Sequence, residues 1–255
     1  MLKKLLLLLL GLTLLFILVA CSPTVENDEN NGAPTNDVND EYDENDDNDL
    51  NEDKDKNDDD NGEEDFVALP APGELDYTQE GIITPEEARR VIEDRSNKAM
   101  EAFKEKDQEK LATLTHPEAG VRFTQYSNVN VDEDLVFMPE EMENFFDDRE
   151  KYVWGRYDGV GDDIELTPSE YYEEFIYSQD FIDPEEVGYN EIVSDSGLVE
   201  ENQFQVYEDA IIVEYYFSGF EEDYDGMDWE SLRLVFQYYE DTWLLVGVIH
   251  NQWTT

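Results

Sequence analysis

The sequence is poor in cysteine, histidine and basic residues, and each scarcity argues against a class of function. Its 255 residues include one cysteine, so no disulfide can form within the chain. A zinc site is not expected, because it needs about four ligands, usually with His or Cys, and the only two histidines are distant in sequence. The 16 basic residues face 67 acidic residues, for a net charge of −51. Nucleic acid is not an expected partner, because phosphate contacts need a basic surface.

Two common catalytic motifs are also missing. No serine lies in the G-x-S-x-G context of a serine hydrolase. Gly159-Val160-Gly161 is not followed by the glycine and lysine of a phosphate-binding loop. Neither serine hydrolysis nor nucleotide binding is therefore predicted.

The N-terminus has the layout of a secretory signal peptide. Two lysines are followed by an apolar run from Leu5 to Val19, which is shorter than the roughly 20 residues that span a bilayer. Leu18-Val19-Ala20-Cys21 resembles the bacterial lipoprotein lipobox. The resemblance implies that residues 1–20 are removed and that Cys21 is diacylated. We therefore expect a lipid anchor in the cell membrane and a chain on its extracytoplasmic face.

Residues 22–65 have the composition of a disordered segment. They contain 20 acidic residues and two lysines, with very few apolar side chains. Such a segment cannot bury enough apolar surface to offset its ordering entropy. We predict a lipidated cysteine with a disordered acidic linker over residues 21–76, and one folded domain over residues 77–255.

The C-terminal stretch predicts the central hairpin of that domain. Leu232, Leu234, Phe236 and Tyr238 alternate with polar residues in an outgoing strand. The return strand, residues 243–250, is apolar on both faces, with Trp243, Leu245, Gly247 and Ile249 assigned to one of them. A strand of this kind is covered on both faces, and its glycine marks a bulge or bend.

The preceding residues predict helices first and strands later. Thr84-Pro85-Glu86-Glu87 is a helix start with a capping box, and Thr167-Pro168-Ser169-Glu170 repeats it. Strands are predicted at residues 120–126, 204–207 and 210–217, and a glycine-rich loop at residues 153–162. The resulting pattern is α+β.

This order resembles the nuclear transport factor 2-like superfamily, in which a curved antiparallel sheet wraps an N-terminal helix to form a cone. The segments WGRYDGVG, GMDWESLRLVF and WLLVGVIHNQW look like parts of uncharacterised Gram-positive bacterial lipoproteins. The resemblance implies a fold and a location, and it brings no known activity.

A few ionisable residues could carry chemistry in such a cone. Enzymes with this fold use a pocket Asp, Tyr or His, and the candidates here are Glu214, His250, Tyr126 and Tyr216. Glu214 could instead face solvent, and His250 could simply be hydrogen-bonded. Arg233 lies in a strand, where it would pair with Asp228 or Glu230 or meet an anionic ligand.

Two acidic loops contain the oxygen ligands that calcium prefers, although neither has the spacing of the twelve-residue calcium loop. The candidate ligands are Asp158, Asp162, Asp163, Asp223, Asp225 and Asp228. In so acidic a chain such clusters also arise by chance, and no other cofactor is predicted.

The sequence favours a non-enzymatic, membrane-anchored module that binds an envelope ligand or partner. The alternatives are a small isomerase or dehydratase with a buried carboxylate or histidine, and a structural envelope protein. A pocket lined by Tyr and Trp with a buried carboxylate would favour the enzyme, and a filled cone would favour the binding module. The ligand and the oligomeric state are not assigned.

Overall fold

The structure, a computed structural model, describes residues 68–194 and 201–253. The predicted signal peptide, Cys21 and most of the predicted linker lie outside those residues. The helices are α1 (Pro85–Glu105), α2 (Gln108–Leu114), α3 (Pro139–Met142), α4 (Pro168–Tyr171), which continues as a π-helical turn (Tyr172–Ile176), and α5 (Gln203–Val206); 3-10 turns span Pro72–Glu74 and Glu222–Tyr224. The strands are β1 (Val121–Thr124), β2 (Leu135–Phe137), β3 (Tyr152–Arg156), β4 (Asp163–Leu166), β5 (Glu186–Tyr189), β6 (Ile211–Phe217), β7 (Glu230–Tyr239) and β8 (Thr242–Gln252).

Six of these strands form one curved, unclosed sheet, in the order β2-β1-β8-β7-β6-β5. All neighbours are antiparallel except β1 and β8, which run parallel. Strands β3 and β4 form a separate two-stranded sheet. The α+β class predicted from the sequence is confirmed.

The long hairpin β7–β8 is the centre of the sheet, as predicted. Its two-residue turn consists of Glu240 and Asp241, both with positive φ, at 43° and 69°. Positive φ at both turn residues matches the twist of the flanking strands. Both faces of β8 are buried along nearly its whole length.

A bulge next to Gly247 makes the side-chain alternation of β8 differ from the predicted one. Val235 pairs with Gly247, whereas the next residue of β7 pairs with Leu245, so Val246 is the extra residue. An extra residue shifts the alternation by one position. Ile249 therefore lies on the face opposite Trp243 and Leu245, and the prediction that the three share a face is wrong.

The main core lies on the inner face of the sheet, which we define as the face that packs against α1. The apolar side of α1 and the side chains of Leu232, Leu234 and Phe236 belong to one buried cluster. Helix α1 contacts β5 and β6 directly. Its buried side chains follow the helical period: Ala88, Val91, Ile92, Ala99, Met100, Ala102 and Phe103.

Helix α1 begins where the sequence predicts, but without the predicted capping box. Thr84 is the N-cap residue, and its side chain makes no capping hydrogen bond. Its backbone N–H donates to the carbonyl of Asp76 at 2.9 Å. The capping box does form at Thr167 and Glu170. The same four-residue pattern is therefore satisfied at only one of its two occurrences.

The outer face, which carries Val235, Val246 and Ile249, has its own smaller core. Residues 204–207, predicted as a strand, instead belong to α5 and the residue after it. Short apolar runs do not distinguish helix from strand. The ring of Tyr207 lies over Gly247, where an added Cβ would be 2.9 Å from its hydroxyl oxygen, so glycine provides the space for that ring.

Residues 153–162, predicted as a loop, contribute to the β3–β4 hairpin. Trp154 and Ile164 are buried from the two strands. Gly155 has a φ of 148° at the irregularity in the pairing, and Gln125 occupies the space that a side chain there would fill. Gly155 thus permits a bulged hairpin. Strands β2 and β5 were not predicted from the sequence.

The folded unit begins earlier than residue 77. The Leu69 N–H donates to the carbonyl of Asp241 at 2.9 Å, and the Trp243 indole N–H donates to the carbonyl of Pro70 at 3.1 Å. Leu75 is buried in the main core. Residues 69–70 therefore pack against the turn of the central hairpin, and Leu75 packs in the core.

Candidate functional site

A buried ionic cluster lies on the outer face, where two of the predicted site residues meet. Glu214 of β6 pairs directly across the sheet with Arg233 of β7. A carboxylate oxygen of Glu214 and Nη2 of Arg233 are 3.0 Å apart, and each side chain is about 1% exposed. Glu214 is thus not on a solvent-facing side of its strand. Buried charges are retained when they are paired and hydrogen-bonded.

The Glu214 carboxylate has hydrogen bonds to both of its oxygens. Oε1 accepts from the hydroxyl of Ser194 at 2.5 Å and from the hydroxyl of Ser231 at 2.7 Å. Oε2 accepts from the backbone N–H of Val193 at 2.7 Å. With Arg233 added, four hydrogen-bond donors surround this carboxylate. Its oxygens are therefore held by contacts within the protein.

Arg233 also bonds away from its strand. Its Nη2 donates to Glu201 and to the hydroxyl of Ser194, both at 3.0 Å. The predicted pairing with Asp228 or Glu230 is wrong, because Asp228 caps a loop and Glu230 bonds Ser178. Nε and Nη1 of Arg233 have no hydrogen-bond partner among the described residues.

The sequence did not predict the residues that surround Glu214 and Arg233. Only some of these residues follow a pattern that could have identified them. Ser231 occupies the same face of β7 as Arg233, two residues away, so strict alternation would have placed it there. Asn251 pairs with Ser231 across the hairpin and lies 3.4 Å from Ser194. Ser194 and Glu201 lie outside the strands, where no periodic pattern identifies a buried polar residue.

His250 is on the inner face and does not join this cluster. It pairs with Leu232 and is about 1% exposed. Its ring meets Phe175 edge to face at 5.6 Å, and its Nε2 lies 3.3 Å from the side-chain oxygen of Gln252. Burial lowers the pKa of the imidazole, which keeps it neutral.

The two tyrosine candidates are also apart. Tyr216 is on the outer face, paired with Ser231, and its ring lies 6.2 Å from that of Trp229. The Tyr126 hydroxyl accepts the backbone N–H of Asp158 at 3.1 Å, and burial raises its pKa. Of the five candidates from the sequence, only Glu214 and Arg233 are in contact, and His250, Tyr126 and Tyr216 each have other neighbours.

A group of aromatic rings packs on the inner face of the sheet. Trp154 stacks on Tyr171 with ring centres 3.8 Å apart, and Tyr171 stacks on Phe175 at 5.0 Å. The column continues to Phe123 and Phe145, which stack at 5.2 Å. All five rings are at most 2% exposed. These five rings are therefore part of the main core.

Two of the six acidic residues proposed for calcium have other partners. Asp163 pairs with Arg156 at 3.2 Å, and one oxygen of Asp228 accepts the N–H groups of Phe220 and Glu221. Among residues 68–194 and 201–253, no group of three or more His, Cys, Asp or Glu side chains is arranged to hold a metal ion.

Two surface clefts have acidic walls. One, of about 550 Å³, lies between residues 80–83 and residues 204–210. The other, of about 340 Å³, is lined by Glu140, Glu141, Asp147, Asp148 and two aromatic rings. Neither includes any of the ligand-binding residues predicted from the sequence.

Comparison with family models, with curated proteins and with solved structures finds no match to this chain. In the described part of the chain, no helix has the length and apolar character to cross a bilayer. The assignment of function therefore depends on the residues and their geometry.

Proposed function

We propose that this chain is a membrane-anchored lipoprotein on the extracytoplasmic face, with a nuclear transport factor 2-like cone domain that serves as a non-enzymatic partner-binding module. The lipobox at Cys21 supports the anchor. A curved sheet packed against a long N-terminal helix supports the cone. The single observation that supports the binding role over catalysis is the burial of the aromatic column on the inner face.

The ionisable groups support the same proposal. General acid–base catalysis needs a group with a free functional end within reach of a substrate. The Glu214 carboxylate is committed to four donors, and the His250 ring is enclosed beside Phe175. An isomerase or dehydratase that used either of them would need it at an open cavity.

The anchor is tested by metabolic labelling with a radioactive fatty acid in cells that express the full chain. We expect label on the wild type, and loss of both label and leader cleavage in Cys21→Ala. Ser22→Ala, which changes the next residue, should keep the label. An unlabelled wild type, or a Cys21→Ala chain that is processed and labelled normally, would contradict the proposal.

The partner-binding role is tested separately, because a lipid anchor is compatible with either activity. The soluble mature chain should show no turnover of a panel of steroid, thioester and hydroxyacyl substrates. If the wild type shows turnover, and Trp154→Ala or His250→Gln abolishes it with the fold intact, the binding module is contradicted and the enzyme is supported.

A further inference from the structure

The loop between β6 and β7, residues 218–229, exposes three large apolar side chains. Phe220 is 44% exposed, Tyr224 55% and Met227 49%. Trp253, 41% exposed, follows Gln252, which pairs with Glu230 at the end of this loop. Single exposed apolar residues are ordinary, but a group of four at one end of a sheet marks an interaction surface.

The loop is built so that these side chains remain outside. The Asp228 carboxylate accepts the N–H of Phe220 at 3.0 Å and that of Glu221 at 2.8 Å. The N–H of Met227 donates to the carbonyl of Tyr224 at 2.9 Å. These hydrogen bonds join the two ends of the loop and hold the exposed side chains on its outer surface.

The charge of the loop restricts what can cover it. Between Ser218 and Trp229 there are five acidic residues and no basic residue. A partner that buries Phe220, Tyr224 and Met227 must desolvate or neutralise these carboxylates. A basic partner does so with complementary charge, whereas a second copy of this chain, at −51, would be repelled.

The position of the loop fits an anchored protein. Residues 69–70 bond to the β7–β8 turn, and the loop enters β7 at the opposite end of that strand. Ten residues of β7 at about 3.3 Å each separate the two ends by about 33 Å. If the N-terminus is anchored, as the proposed function holds, the chain enters the domain at the end away from the loop.

We propose that the 218–229 loop, together with Trp253, is a docking surface for a protein segment that is both basic and apolar. The apolar side chains supply buried area, and the surrounding carboxylates select Lys and Arg at its rim. This inference rests on the proposed function and names its partner by chemistry.

The test is site-specific photo-crosslinking of the full chain in cells. A photoreactive phenylalanine analogue replaces Tyr224 in one strain and Val160 in another. Val160 is a matched control, because it is 73% exposed on another acidic loop, in which the aromatic residue, Tyr157, is half-buried against the core. We expect a discrete protein adduct from position 224 and none from position 160. The crosslinked partner peptide should contain Lys or Arg beside apolar residues.

Two variants separate the apolar part from the charged part. Phe220→Ser with Met227→Ser should reduce the adduct at position 224 at least tenfold. Asp223→Asn with Asp225→Asn should reduce it severalfold, because both residues are exposed and their carboxylates are open to a basic partner. Unchanged melting curves of these variants would show that folding is not the cause.

Several outcomes overturn the inference. They are the absence of an adduct, equal adducts at both positions, or an adduct with lipid, with an acidic peptide or with a second copy of the chain. Fatty-acid labelling of the same strains reads the anchor independently. A labelled chain without a position-224 adduct rejects the docking surface alone, and an unlabelled chain with the adduct rejects the anchor alone.

Discussion

Removal of the Glu214 charge should destabilise the domain strongly, and Glu214→Gln is the smallest change that does so. The carboxylate is fully buried and lies 3.0 Å from Arg233. Its loss leaves the guanidinium with Glu201 as its one remaining ionic partner among the residues that the structure describes. Removing one member of a buried ion pair costs about 3–5 kcal/mol, because the other charge remains in a low-dielectric site.

That magnitude is large for a domain of this size. The free energy of unfolding of a domain is about 5–15 kcal/mol. At about 2–4 °C per kcal/mol for 150–250 residues, the melting midpoint should fall by about 6–20 °C. Thermal melts of the soluble chain from Ser22 onward measure this shift. Glu173→Gln is the control, because its ion pair with Lys106 is solvent-exposed and should contribute little.

A double-mutant cycle separates the ion pair from the general effect of substitution. Glu214→Met and Arg233→Met should each be strongly destabilising, whereas the two changes together should be less destabilising than either alone. Additive single and double effects would refute the assignment of a coupled pair. A near-neutral Glu214→Gln would show that the carboxylate is not buried as described.

Three further outcomes are expected in the same melting assay. Trp243→Ala should cost about 3–5 kcal/mol, because the buried indole also bonds the carbonyl of Pro70, and a near-neutral result would contradict the core assignment. Burial lowers the pKa of His250, so the folded chain binds that proton less readily than the unfolded chain. Stability should therefore fall as the pH drops below about 6.5, and less steeply in His250→Gln; equal slopes would refute this. Gly247→Val should destabilise by crowding Tyr207 and Val235, and Tyr207→Ala should relieve part of that loss; a tolerated Gly247→Val would contradict the close packing.

The sequence predicts the elements whose patterns are long. The helical period after Thr84 and the alternation of Leu232, Leu234 and Phe236 extend over enough residues to be read directly. The two-residue turn at Glu240 and Asp241 separates two apolar runs and is equally clear. Short elements such as Gln203–Val206 and Leu135–Phe137 are decided by tertiary packing, because four or fewer residues have no measurable period.

Two members of the candidate site were predicted from the sequence, but their arrangement was not. Glu214 and Arg233 stand out because charge is rare within an apolar strand, but their pairing requires the β6–β7 register. The bulge at Gly247 was expected, yet its effect on Ile249 and His250 depends on which residue is extra. Ser194 and Glu201 lie beyond the reach of strand periodicity.

The claim that the inner face is filled, which distinguishes a binding module from an enzyme, is tested most directly with xenon. Xenon enters apolar cavities that are large enough to hold it, and its NMR shift reports saturable binding. In the mature chain from Ser22 onward we predict no saturable shift for the wild type and a clear one for Trp154→Ala, which opens the column beside Tyr171. Saturable xenon binding in the wild type that Trp154→Phe alters would contradict the filled interior, and with it the proposal of a non-enzymatic module.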